Sequence, residues 1–255
     1  MSVRTLDASF SKYEKKGAYH WREISSHLLQ HNAFTAERYR RTIAGLQPLQ
    51  GKRVLDYGCG DGALLGLLCR AVDASGEAHG FDPNELAIKL CNEMMQKHKL
   101  QATLHGSKDK VPLGYFDAVI CAEVIEHVTD VPGLLNHIAA LLKLGGRVIF
   151  TTPIRLTETP VDPNHVQEWF PTEFAAVIKS GPFRIIQHEE WVPVAAPEFY
   201  WWRPWFFLRF PLVQVLCNVF SVFAGKNILS ALKFAPKYFM TQMVLAERVA
   251  DPAKP

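Results

Sequence analysis

The sequence predicts an α/β fold, a doubly wound, mostly parallel seven-stranded sheet with helices on both faces. Three observations carry this reading. Short apolar runs alternate with segments of helical periodicity from Lys52 to Lys179. A glycine-rich turn, Gly58-Cys59-Gly60-Asp61-Gly62, joins the first of those strands to a helix. The 255 residues are 48% apolar and 21% charged, which suits one ordinary globular core. The expected domain is single: an N-terminal helical cap at 1–50, a ligand-binding core at 51–190, an apolar insert at 191–241 before the last strand, and that strand at 242–249.

The elements follow in order. Met1 to Gln50 reads as helical, with an aromatic stretch at Tyr13 to Trp21 and spaced apolar positions from Glu23 to Leu46. Arg53-Val54-Leu55-Asp56 is the first strand, Ala63 to Ala71 an apolar helix, and Glu77 to Phe81 the second strand. Glu85 to Lys97 is amphipathic at helical spacing, and Ala102 to His105 is short and strand-like. Phe116 to Cys121 has the continuous apolar character of a buried strand. Val131 to Leu142 is expected to be a helix capped by Gly145-Gly146, followed by a strand at Arg147 to Thr151 that Pro153 ends. Pro171 suits the first turn of a helix to Lys179. Strands at Phe183 to His188 and Gln242 to Glu247 complete the seven.

Composition narrows the function. A net charge of +3 with scattered Lys and Arg does not favour nucleic acid as a partner. Five cysteines, an odd number without CxxC spacing, read as reduced thiols of a cytoplasmic protein. Met1 to Lys16 has no apolar core, so no signal peptide is expected.

In an open parallel sheet, ligands bind beyond the carboxyl ends of the strands, near the switch in strand order. Asp56, Tyr57, Gly58, Cys59 and Gly60 stand there after the first strand, and Asp82-Pro83-Asn84 after the second. Glycines let the backbone turn sharply and come close to a ligand. Gly58, Gly60 and Ala63 also satisfy the loose dinucleotide pattern, so a nicotinamide or flavin oxidoreductase is the competing reading. Asp56 argues against it, because a carboxylate beside the loop repels a pyrophosphate and suits a cationic ligand. Asp82 is placed to accept ribose hydroxyls. The bland alternative for either aspartate is a turn or helix cap.

These residues resemble the class I S-adenosylmethionine (SAM)-dependent methyltransferases, which have a Rossmann-like fold. The matching pieces are VLDYGCGDG (Val54 to Gly62), GFDPN (Gly80 to Asn84), FDAVICAEVIEHV (Phe116 to Val128) and LLKLGGRVIFTTP (Leu141 to Pro153). The resemblance covers about Gly51 to Lys179. It implies SAM as cofactor, with the glycine loop beside the methionine moiety and Asp82 on the ribose. It also implies that Ser107 lies in the segment lining the adenine, that Glu123 lies near the sulfonium, and that an N-terminal aromatic closes over the cofactor. Tyr13, Tyr19, His20 and Trp21 are the candidates for that last role, with Tyr19 preferred. The alternative for each is an aromatic staple holding the cap to the core.

A hydroxyl acceptor needs its proton removed, or a metal to lower its pKa. Glu123-Val124-Ile125-Glu126-His127 follows the fourth strand, and His165 follows the fifth. His127 and His165, with Glu126, are the candidate catalytic groups. Glu123, Glu126, His127 and His165 are also the candidate ligands of Mg²⁺ or Mn²⁺. The stretch resembles the O-methyltransferases of ubiquinone biosynthesis and the metal-dependent 2′-O-methyltransferases of small-RNA 3′ ends. Glu-His here is widespread among metal-free methyltransferases too, so a capping or loop-supporting role is the plain alternative.

The run FYWWRPWFFLRFPLVQVLCNVFSVFA (199–224) departs from the composition of the rest. It reads as a lid over an apolar acceptor, as a membrane-surface element of a peripheral protein, or as a homodimer or core contact. Only Leu212 to Ala224 is free of charge and proline, too short to span a bilayer. The expected activity is O-methylation of a small or lipid-like acceptor. N- or C-methylation, RNA 2′-O-methylation and non-catalytic SAM binding are the alternatives.

Overall fold

β1 (Arg53–Tyr57), β2 (Glu77–Phe81), β3 (Thr103–His105), β4 (Phe116–Ala122), β5 (Leu142–Pro153), β6 (Phe183–Val194) and β7 (Tyr238–Arg248) form one sheet in the computed structural model. It describes residues 12–155, 160, 162, 164–194, 212–228 and 238–249. The strand order is β3-β2-β1-β4-β5-β7-β6. β1 pairs in parallel with β2 and β4, and β7 runs antiparallel to β5 and β6. The order reverses between β1 and β4, which makes their carboxyl ends the switch point.

Period-2 alternation sends successive β1 side chains to opposite faces. Leu55 and Tyr57 join the core that also buries α6 (Val131–Leu141) and α7 (Pro171–Lys179). Val54 joins the other core, under α3 (Ala33–Leu46), α4 (Ala63–Ala71) and α5 (Glu85–Lys97). Asp56 shares the parity of Val54 and is buried on that second face. The expected doubly wound, mostly parallel seven-stranded sheet is therefore the observed one.

Four boundaries differ from expectation. The N-terminal cap is not one helical run: α1 (Lys12–Lys16) and α2 (Tyr19–Glu23) are short, and the chain is irregular from Ile24 to Asn32. Asn32 starts α3 by accepting the Phe34 and Thr35 N–H groups, which breaks the periodicity expected from Glu23. Gly145-Gly146 does not cap α6, which ends at Leu141 and passes straight into β5. The register steps from Phe116↔Leu142 to Ala118↔Arg147, so the extra residues of β5 bulge, and Gly145 supplies φ +75° there. β6 and β7 extend to Val194 and from Tyr238, which shortens the insert at both ends.

Of that insert, only 212–228 lies within the described residues; the aromatic run 199–211 lies outside them. Leu212–Ala224 is a helix, α8. Its buried residues are Gln214, Cys217, Asn218 and Ser221. Asn218 accepts from Ala33 N (3.2 Å) and donates to Leu28 O (2.8 Å) and His31 O (2.6 Å). The Ser221 hydroxyl meets His31 Nε2 at 2.8 Å. Leu216, Phe220 and Phe223 point outward. The helix is thus moored largely by polar groups, with apolar side chains on its open side. Among the described residues no helix is long and apolar enough to cross a membrane.

Candidate active site

A cavity of about 760 Å³ opens at the carboxyl ends of β1, β2 and β4. The glycine loop forms its floor. Gly58 and Cys59 donate their N–H groups to Phe81 O (2.7 and 2.9 Å), which locks the loop onto β2. Gly58 has φ +82°, and a Cβ there would lie 2.3 Å from Val124 Cγ2. Gly60 has φ +53°, and its Cβ would lie 2.1 Å from the Tyr13 hydroxyl. Both positions demand glycine for conformation and for space.

Asp56 and Asp82 both line this cavity. Asp82 accepts Gly60 N on one oxygen (3.0 Å) and Asn84 N on the other (2.9 Å). Burial pushes its carboxyl up to about 6, against those two hydrogen bonds. Asp56 is fully buried, and its Oδ2 has no hydrogen-bond partner. Burial first, then the nearby Asp82 and Asp61, push it up to about 7. A buried carboxylate with one oxygen left unpartnered and acidic neighbours suits a cation.

The N-terminal helices roof the cavity. Tyr13, Tyr19 and His20 line it, with Tyr19 and His20 rings 3.9 Å apart. Trp21 does not line it: it stacks on His98 at 4.3 Å and packs in the core. The roof is latched by Asp61, which accepts His20 N at 2.9 Å and lies 3.2 Å from His20 Nδ1, while its carbonyl accepts Trp21 Nε1 at 2.8 Å. Lys12 reaches across to Asp162, beyond β5, at 3.0 Å. Of the other expected cofactor residues, Cys59, Pro83 and Glu123 line the cavity. Tyr57 turns into the core beside Phe81 and His137, away from it. Ser107 lies outside the lining, ahead of a short 3₁₀ turn at Lys108–Lys110.

The far wall holds the expected catalytic groups. Ile125–His127 is a 3₁₀ turn after β4, and it presents Glu126 and His127. Glu126, His127 and His165 each offer a ligand atom, all within 4.8 Å of one another. Glu126 is fully buried; the Thr152 hydroxyl donates to its Oε2 (3.1 Å), and its Oε1 has no partner. Burial, then the nearby Glu123, raise its pKa well above the carboxylate range. His127 Nδ1 meets Asn164 O at 2.8 Å, and burial lowers its pKa, so it is neutral at pH 7. His165 Nδ1 meets Glu168 Oε1 at 2.6 Å.

Glu123 departs from the expected ligand set. Its φ is +56°, and its oxygens accept Arg38 Nη1 (2.9 Å) and the Thr151 hydroxyl (3.0 Å). It lines the cavity but stands outside the three-residue group. Asp61, Arg38, Lys12, Asp162, Thr151, Thr152 and Glu168 also build the site, though no motif marks them for it. Only Asp61 carried a local signal, as the acid inside the glycine turn.

A family model described as a methyltransferase domain matches residues 29–209. The ubiquinone biosynthesis O-methyltransferase of Ralstonia nicotianae is 33% identical over 118 residues, 43% of this chain and 47% of that protein. The chain thus spans about half the length of such curated relatives. Aklanonic acid methyltransferase DauC of a Streptomyces species is 29% identical over 206 residues, 76% of this chain and 80% of that one. A solved SAM-dependent methyltransferase from Aquifex aeolicus shares the fold, with a TM-score of 0.56 and 13% identity, covering 83% of this chain and 89% of its own.

Proposed function

The chain belongs to the SAM-dependent methyltransferase family, and from that premise we propose that it methylates a hydroxyl oxygen of a small or lipid-like acceptor. The observation that carries this reading is one shared cavity. Cation-ready carboxylates, Asp56 and Asp82, line it together with a second cluster of titratable groups, Glu126, His127 and His165. When bound, SAM supplies a methyl group activated by positive sulfur.

The chain's own residues then have four tasks. Asp56 answers the positive charge of the methionine end, and Asp82, with each oxygen already oriented by one N–H, accepts the ribose hydroxyls. Tyr13, Tyr19 and His20 exclude water from above. Arg38 and Thr151 hold Glu123 at the end of β4. His165, with its Nδ1 engaged by Glu168, takes the acceptor's hydroxyl proton on Nε2, and neutral His127 lies beside it, ring centroids 4.9 Å apart. O-methylation is also what the names of the ubiquinone relatives say of those proteins.

The three-residue group also fits a divalent cation. Glu126 Oε1 is buried without a partner, and the Nδ1 atoms of both histidines are engaged by oxygens, the outer-layer arrangement typical of metal-binding imidazoles. Two imidazoles and one carboxylate suit Mn²⁺ better than Mg²⁺, which prefers oxygen throughout. A cation held by Glu126, His127 and His165 would lower the pKa of the acceptor hydroxyl. Titration calorimetry with Mn²⁺ alone, followed by turnover after exhaustive chelation, tests this. Full turnover without metal removes it.

The open apolar side of α8, with Leu216, Phe220 and Phe223, supports the lipid-like part of the reading and contact with a membrane surface. Flotation with anionic vesicles at low salt checks it. The reaction itself is tested with methyl-labelled SAM, catechol and a prenylated catechol. The expected product is a methyl ether. His165→Ala should lower kcat by about 10²–10⁴-fold without changing S-adenosylhomocysteine affinity. Methyl transfer only to nitrogen or carbon acceptors would overturn the proposal.

A further inference from the structure

The segment that carries His165 is tied down without any help from the Glu168 side chain. Val166 and Gln167 N–H donate to Glu126 O (2.8 and 3.3 Å). Gln167 Nε2 donates to Val128 O (3.2 Å). Trp169 bridges Ile154, and its carbonyl accepts Arg155 N (3.1 Å) and Gln242 Nε2 (2.9 Å). Yet Glu168 is buried, with a side chain only 5% exposed, and its Oε1 lies 2.6 Å from His165 Nδ1. Burying a carboxylate is unfavourable unless a specific partner answers it. Here that partner is the imidazole ring, which itself lines the cavity.

We propose that Glu168 is a positioning residue for the reaction: it holds the His165 proton on Nδ1 and so keeps the lone pair on Nε2 for the group in the cavity. A neutral imidazole has one donor and one acceptor nitrogen, and the hydrogen bond made by one decides the role of the other. A carboxylate can only accept, so it dictates the Nδ1–H tautomer. The inference rests on the functional reading above, in which His165 acts through Nε2. It adds that this competence comes from a residue three positions along the chain.

Glu168→Gln separates this from a purely structural role. The carboxamide keeps the size and can either accept or donate, so it no longer dictates the tautomer. Long-range ¹H–¹⁵N correlation of labelled imidazoles should show His165 protonated on Nδ1 in the native chain and mixed or inverted in Glu168→Gln. Turnover of catechol should fall about 10–100-fold, with KM for SAM unchanged. Gln167→Ala removes a neighbouring tie of the same loop and should leave both tautomer and turnover as they were. A native His165 protonated on Nε2, or an unchanged tautomer in Glu168→Gln, would overturn the assignment whatever the turnover. A shifted tautomer with undiminished kcat would uphold the control by Glu168 and instead refute the catalytic part given to His165.

Discussion

Replacing Asp56 by Asn should stabilise the ligand-free protein while weakening its hold on the cofactor. The carboxyl is buried, and its pKa rises from 3.8 to about 7 on folding. At pH 8 the folded chain must keep it ionised, which corresponds to about 4 kcal/mol of destabilisation relative to an exposed carboxylate. Asn removes the charge but leaves an amide incompletely hydrogen-bonded, which costs about 2 kcal/mol. The net gain is about 2 kcal/mol, or roughly 4–8 °C in Tm for a chain of this size. The sign reverses the usual expectation for a salt-bridged aspartate. A raised folded pKa means that the penalty is complete above about 7 and shrinks as pH falls toward 3.8. At pH 5 the penalty is about 1.7 kcal/mol, so the advantage of Asn should vanish there. Urea unfolding of both proteins at pH 8 and pH 5 measures this, and calorimetry with S-adenosylhomocysteine should show about 100-fold weaker binding to the variant. An Asp56→Asn variant less stable than the native protein at pH 8, or one that binds equally well, would rule out this account of the Asp56 carboxyl.

The same carboxyl should make cofactor binding pH-dependent. The ammonium that S-adenosylhomocysteine shares with SAM is answered by the ionised form, so affinity for S-adenosylhomocysteine should fall about eightfold between pH 7.5 and 6.0 from Asp56 alone, and calorimetry of Asp56→Asn should show that drop removed. Gly58→Ala, at φ +82° and 2.3 Å from Val124, should lose about 2–3 kcal/mol and the cofactor. Gly114→Ala, at φ +60° in open space, should lose only about 1 kcal/mol, and paired thermal melts compare them. Asn218→Ala removes three hydrogen bonds, to Leu28 and His31 before α3 and to Ala33 at its start, and should loosen the seating of α8 by about 2–3 kcal/mol. Hydrogen exchange should then speed up in α8 far more than in β1, and equal protection in both proteins would contradict the mooring.

What was legible in the chain was local. Strand alternation placed Asp56 and Asp82 at neighbouring strand ends, and the glycine spacing located the cavity floor, because both follow from backbone geometry alone. The Gly145-Gly146 pair was misplaced since a glycine with positive φ serves a bulge as readily as a helix cap. Glu123 stands three residues before Glu126, a spacing that on a regular helical turn would put both carboxylates on one face. The backbone instead adopts φ +56° at Glu123, and Arg38, 85 residues earlier, takes its carboxylate. Asp61, Lys12 and Asp162 meet partners 41 or 150 residues away, and no spacing rule encodes such pairs. Asn32 was a readable helix start, hidden by apolar spacing that continues through the break before it.

The reversed direction of β7 has a consequence for how the family could diversify. β6 runs in the same direction as β5, so the chain leaves the sheet at Val194 and re-enters at Tyr238 on the same rim that bears Asp56 and Glu126. Material spliced into that hairpin enters at this rim while every parallel pairing of the sheet stays intact. The length and composition of that connection can therefore change without disturbing the strand ends that carry Asp56 and Asp82.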